Sequence, residues 1–204
     1  MDSAALDRIN SFHFRIGDRA NAALCVLTTL VLIVYSAVGI VMFLGPATHP
    51  IPFLVSYSLW VVIGLVILVR YRDNPSLIIG LYMLIMSVDR LNSFLVLHDE
   101  YTTLSLILEA AISLFMLVSG IRWLLGNASS RIPAILSSSL FIILSLGGLV
   151  QIITSAGDFT DNIQVMLSAV SFLLCIAIYA LMIVLMLCNN INKTRYFFKK
   201  KDPE

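Results

Sequence analysis

The sequence predicts an all-α integral membrane fold of six transmembrane helices, arranged as two inverted-topology repeats of three, and three observations carry that prediction. The 204 residues are 59% hydrophobic and 12% charged, with a mean hydropathy of +0.96, more apolar surface than a water-soluble core of this size can enclose. Apolar runs over 22–44, 51–69, 76–97, 102–124, 132–154 and 163–188 each approach the roughly 20 residues needed to cross hydrocarbon. The basic residues, with one exception, fall in alternate connections, as they do when a chain weaves through a membrane.

Residues 1–21 form a cytoplasmic segment in this reading. Leu6, Ile9, Phe12 and Ile16 recur near helical spacing, with Asp7, Arg8, Ser11, Arg15 and Arg19 elsewhere around the wheel, which fits an interfacial helix, though a disordered tail fits almost as well. Acidic residues and the lack of an apolar stretch before position 22 argue against a cleavable signal peptide. The transmembrane domain then runs over 22–189, with repeat one over 22–97 and repeat two over 102–188. Each run must satisfy its own backbone in lipid, and the alternation of a transmembrane barrel is missing, so helices are expected throughout. Gly45, Pro46, Pro50 and Pro52 break the chain after the first run, Asn74 and Pro75 after the second, and Gly126 to Pro133 after the fourth. Residues 190–204 make a basic cytoplasmic tail.

Arg8, Arg15 and Arg19 precede the first run, Arg70 and Arg72 follow the second, Arg122 and Arg131 flank the fourth connection, and Lys193, Arg195, Lys199, Lys200 and Lys201 end the chain. The other connections contain His49, then His98, Asp99 and Glu100, then Asp158 and Asp161. The positive-inside rule therefore puts both termini in the cytoplasm and the chain in the plasma membrane, or inner membrane, as a multi-pass protein. In this topology the sequons at Asn127 and Asn192 are chance matches. The lipid bilayer is the expected partner; a net charge of +1 without an internal basic tract gives no footprint for nucleic acid. Composition sets no limit on self-association into a homo-oligomer.

An internal repeat is visible at an offset of 81 positions, which carries Gly39 and Ile40 onto Gly120 and Ile121, and Leu44 and Gly45 onto Leu125 and Gly126. The same shift carries Ile51 and Pro52 onto Ile132 and Pro133, and Ser56 and Ser58 onto Ser137 and Ser139. Apolar helices match by chance, but this glycine-turn-Ile-Pro punctuation stays in register without a gap. Three helices per copy is an odd number, so the second copy enters from the opposite side, the inverted arrangement found in many transporters.

Polar groups within the bilayer are the only candidates for a site. The third run contains Asp89, Arg90, Asn92 and Ser93, and the fourth contains Glu109, flanked at four-residue intervals by Ser105 and Ser113. Asp89, Arg90 and Glu109 stand at matching distances from the connection at Glu100, near the midplane at ~1.5 Å per residue. An unpaired charge there costs at least ~2.5 kcal/mol. Adjacent residues diverge by ~100° on a helix, so Glu109 is the expected partner of Arg90, in preference to Asp89. The stripe Ser105, Glu109, Ser113 and Gly120 reads either as a close helix contact or as the lining of a hydrated path that binds a proton or small solute. Ser137, Ser138, Ser139, Ser145, Gly147 and Gly148 read as packing residues. Cys25, Cys175 and Cys188 lie in apolar runs and read as small buried hydrophobes, with palmitoylation an alternative for Cys188. No metal, cofactor or enzymatic activity is expected: His98, Asp99 and Glu100 are adjacent on one short loop, and no nucleophile and base meet at membrane depth.

Ser119-Gly120-Ile121, the short basic connection through Arg131, Ile132-Pro133 and the small-residue helix that follows resemble the HdeD-like family of small six-helix bacterial membrane proteins. Val38-Gly39-Ile40 through Gly45-Pro46 is similar. The resemblance covers about two thirds of the chain and implies a stress or acid-resistance association without catalytic residues. Asp89, Arg90 and Glu109 depart from that family's sparse polar interior. Two functions follow as expectations: a small transporter, channel or proton-responsive component with a polar midplane site, or a non-transporting packing or stress-resistance protein whose buried charges are structural.

Overall fold

The computed structural model describes residues 14, 16–44, 50–96, 103–155 and 163–189. Among them the chain forms six long helices: α1 (Asp18–Phe43), α2 (Pro50–Val66, continued by a π turn over Ile67–Tyr71), α3 (Pro75–Val96), α4 (Thr103–Leu124), α5 (Arg131–Ser155) and α6 (Ile163–Cys188). A 3-10 turn over Ala128–Ser130 links α4 to α5. Residues 1–13 and Arg15 of the amino-terminal stretch expected as an interfacial helix, the His98-Asp99-Glu100 loop, Asp158, Asp161 and the basic tail lie outside the described residues.

Local chemistry sets the helix ends. Asn74 caps α3 by accepting a hydrogen bond from the Leu77 amide at 3.0 Å, and Pro75 occupies the first helical position, where its missing N–H is no loss. Gly126, with φ of 76°, ends α4. The Asn127 amide returns to the Arg122 carbonyl and the Gly126 amide to that of Trp123, both at 2.9 Å, the paired bonds of a Schellman stop. The spans observed match the apolar runs closely, with one difference at the start. α1 begins at Asp18, not after residue 21. An acidic first turn and the alanines at 20, 22 and 23 extend the helix beyond the strictly apolar stretch.

The helices pack as antiparallel neighbours, α1 on α2, α3 on α4, α5 on α6, with α1 also along α6 and α4 along α5. Asn21 at the start of α1 and Asn189 beyond the end of α6 exchange side-chain hydrogen bonds at 2.8 and 2.9 Å. Arg131 at the start of α5 donates to the Leu187 carbonyl at 3.2 Å, supplying a donor to one of the carbonyls left open at a helix end. Arg19, Arg70, Arg72, Arg122 and Arg131 thereby share one end of the bundle. α3 contacts α1, α2, α4 and α6, and of its residues up to Ser93 only Val88 is exposed.

Large apolar side chains cover the outside. Leu27, Val34, Val55, Val62, Ile107, Leu114, Ile143, Val150, Met166 and Leu173 are among those 47–64% exposed, while Ser36, Ser87, Asp89, Ser113 and Ser145 are buried. A water-soluble protein rarely exposes so continuous an apolar surface. Five of the helices, all but α3, are long and apolar enough to cross a membrane. The architecture is that of a multi-pass membrane protein.

The two triplets expected as repeats differ in their helix contacts. α5 lies along α6, whereas α2 touches α3 at few points, and α3 and α6, matched by the 81-residue offset, likewise meet at only a few. The matched glycines also meet different partners. A Cβ on Gly39 would stand 2.6 Å from the Tyr57 ring of α2, and one on Gly120 would stand 2.9 Å from Met83 Cβ of α3.

Candidate functional site

Arg90 reaches across the bundle from α3. Its Nη1 donates to Glu109 Oε1 on α4 at 3.2 Å, its Nη2 to Ser145 Oγ on α5 at 3.3 Å and to Cys175 Sγ on α6 at 3.1 Å. The guanidinium carbon lies 5.6 Å from the centre of the Phe141 ring on α5, in cation–π range. That ring is itself stacked on Tyr179 of α6 at 5.2 Å. The two charged side chains are 16% and 18% exposed, so their pairing is shielded from screening and each depends on the other. Arg90 and Glu109 are therefore opposed across the α3–α4 hairpin, as their matched depth predicts.

Asp89 faces a different set of helices. It is 2% exposed, and its Oδ2 accepts a hydrogen bond from the Tyr35 hydroxyl on α1 at 2.6 Å. The Tyr35 ring stands edge-on to Tyr57 of α2, centroids 5.8 Å apart. Oδ1 has no hydrogen-bond partner among the described residues. The one-residue step from Asp89 to Arg90 thus divides the charges, the acid towards α1 and the base towards α4, α5 and α6.

A partly open cavity of about 130 Å³ lies beside Asp89. Asp89, Arg90 and Ser93 of α3 form one wall, Phe53 and Tyr57 of α2 another, with Tyr35, Met42 and Phe43 from α1 and Ser168, Ser171, Phe172 and Cys175 from α6 completing it. The sparse contact between α2 and α3 is the gap that this cavity occupies. Met42, Phe43 and Phe53 belong to the helix ends remote from the basic end, so the cavity occupies that half of the bundle. A cavity of ~150 Å³ holds benzene, so this one has the size for several waters or a small solute.

Of the other predicted site residues, Asn92, Glu109 and Ser113 are not part of its wall. Ser113 is fully buried and returns its hydroxyl to the Glu109 carbonyl at 2.7 Å. Gly120 sits against Met83 and the Gly80 carbonyl of α3, so this part of the stripe is a close helix contact and not the lining of the cavity. The side chain of Ser105 lies outside the described residues. Asn92 Nδ2 is buried without a hydrogen-bond partner among the described residues. Of the α5 small residues, Ser145 receives Arg90 and Gly148 packs under Phe172, so packing is only part of their work. Cys25 and Cys175 are buried free thiols and Cys188 is half-buried; Cys175, read as a plain filler, holds Arg90. Among the described residues no three of His, Cys, Asp and Glu gather to hold a metal ion.

Tyr35, Tyr57 and Cys175 were not indicated as site residues by the sequence. A signal was present: tyrosine is enriched at membrane interfaces, yet Tyr35, Tyr57 and Tyr179 stand well inside their helices and are buried. Buried at that depth, a hydroxyl needs a polar partner. The chain matches no known family model, no curated protein and no solved structure.

Proposed function

We propose that all six helices span the plasma membrane with the basic end cytoplasmic, and that the protein is a small transporter, channel or proton-responsive component working through Asp89. The observation that carries this reading is an incompletely hydrogen-bonded, buried carboxylate on the wall of a cavity. Arg90 is balanced by Glu109, which leaves Asp89 as the one surplus charge of the cluster. At low dielectric that charge needs a proton or a bound cation. α3 is counted as the sixth span because its neighbours shield Asp89, Arg90 and Asn92 from lipid. The reading is non-enzymatic, and the resemblance to the HdeD-like family points the proton-responsive form towards acid stress. The glycine-turn-Ile-Pro punctuation that recurs without a gap 81 positions apart supports a duplicated, inverted origin with the Asp89 site specialised in one copy.

A second reading, a structural bundle that moves nothing, is favoured by the way Arg90 ties α3 to α4, α5 and α6. Water access separates the two. In a Cys175→Ser, Cys188→Ala background, which removes the native thiol on the cavity wall, Ser93→Cys and Asp99→Cys are expected to react with an impermeant thiol reagent added outside, and Arg72→Cys only after permeabilisation. Silence at Ser93→Cys from both sides supports the structural reading. Reaction of Arg72→Cys from outside overturns the orientation.

A further inference from the structure

We infer that the cavity beside Asp89 is a binding site for a small organic monocation of the alkylammonium type, taken up in exchange for a proton. This rests on the reading of Asp89 as the exchangeable group and adds the chemical class of what it exchanges. Three observations select a cation. Arg90 is engaged through both terminal nitrogens and its charge is matched by Glu109, with only Nε lacking a partner among the described residues, so no net positive charge is left to attract an anion. Asp89 lines the cavity, is 2% exposed, and keeps Oδ1 without a partner among the described residues.

Five further wall residues are aromatic, Tyr35, Phe43, Phe53, Tyr57 and Phe172, beside the hydroxyls of Ser93, Ser168 and Ser171. Phe43 and Phe53 are stacked at 4.2 Å, and Tyr57 lies 6.1 and 6.4 Å from them, a continuous surface of ring faces and edges. Aromatic rings around a carboxylate hold quaternary and alkylated ammonium groups through the ring quadrupole, while a strongly hydrated metal ion gains little from them. The volume of about 130 Å³ suits a cation of about five or six heavy atoms, by comparison with the ~150 Å³ that holds benzene.

The exchange balances in charge: as the cation enters, the Asp89 carboxyl releases its proton to the aqueous side, and as the cation leaves, the carboxylate takes a proton back, so the cluster is neutral in both states. The titratable or charged groups around Asp89 are Tyr35 from α1, Tyr57 from α2, Arg90 from α3, Cys175 and Tyr179 from α6, and Glu109 from α4 through Arg90. α5 contributes Ser145 and Phe141, neither of which titrates.

The test is calorimetric titration of the purified full chain in detergent with tetramethylammonium chloride. Sodium chloride and uncharged tert-butanol serve as comparisons, and buffers of different ionisation enthalpy count released protons. Saturable tetramethylammonium binding is expected, with close to one proton released per cation and affinity falling about tenfold per unit fall in pH where Asp89 is protonated. Asp89→Asn should weaken binding about tenfold or more. Tyr57→Leu should weaken it about fivefold, and Ser171→Leu, which fills the cavity and leaves every charge in place, should abolish it. Trp60, edge-on to Tyr57 at 5.1 Å, reports folding and occupancy by fluorescence in each variant.

Sodium binding without tetramethylammonium binding overturns the alkylammonium assignment and leaves the Asp89 site standing. Binding of neither cation, with an Asp89 carboxyl infrared band that still follows external pH, overturns the inference but not the proton-responsive reading. Binding of neither with a pH-silent band overturns both, and equal binding of tert-butanol overturns the role of charge.

Discussion

Arg90→Met and Glu109→Leu are each expected to destabilise the protein by about 3–5 kcal/mol, and the double substitution by far less. Removing either partner strands the other inside the bundle at 16–18% exposure. Removing both leaves apolar side chains in an apolar setting. The two losses are therefore coupled, and a double-mutant cycle of thermal stability in detergent measures that coupling directly. Ser145 and Cys175 sharpen the expectation. Both contact Arg90 Nη2, so Glu109→Leu alone leaves Arg90 two weak acceptors and only Asp89, which is turned towards α1, as a counter-charge, whereas Arg90→Met alone leaves Glu109 without its cation. Simple additivity of the two single losses would show that the ion pair does not hold the hairpin.

Gly120→Val is expected to cost about 1–3 kcal/mol, the usual cost of overpacking. The new Cβ would stand 2.9 Å from Met83 Cβ and 3.3 Å from the Gly80 carbonyl, and a backbone carbonyl on a neighbouring helix cannot swing aside. Relief requires α3 and α4 to separate, and that separation pulls Arg90 from Glu109. Gly147→Ala makes the contrast, since nothing lies within 4 Å of its added Cβ, and alanine is the better helix former by about 1 kcal/mol. Thermal melts should show a large loss for the first and no loss for the second. Equal behaviour would mean that small residues are not what sets the α3–α4 distance.

Much of the fold was legible because lipid constrains it so tightly. A run of the right length between prolines and glycines has to be a helix, and the spans derived that way differ from those observed by a few residues at most. Arg90 and Glu109 were legible for the same reason: two charges at equal depth on a short hairpin have few alternatives to pairing. The cavity was not legible. It depends on how far α2 stands from α3, and nothing in an apolar stretch encodes that separation. The stripe through Ser113 and Gly120 pointed to α4, but there the small residues mark the close contact with α3, away from the cavity. Tyr35 and Tyr57 carried the missing signal, as hydroxyls and rings placed away from the interfaces tyrosine favours.

The central claim is that Asp89 exchanges with the aqueous phase on the side remote from the basic end. Infrared difference spectroscopy of the full chain in liposomes tests it most directly, with external pH stepped and the carboxyl stretch compared between the unaltered protein and Asp89→Asn. The account predicts a carboxyl band that changes with external pH, shifts promptly in deuterated buffer, and is missing from Asp89→Asn. A band identical in both proteins, or one that ignores external pH and deuterium, would contradict it and leave a closed structural bundle in its place.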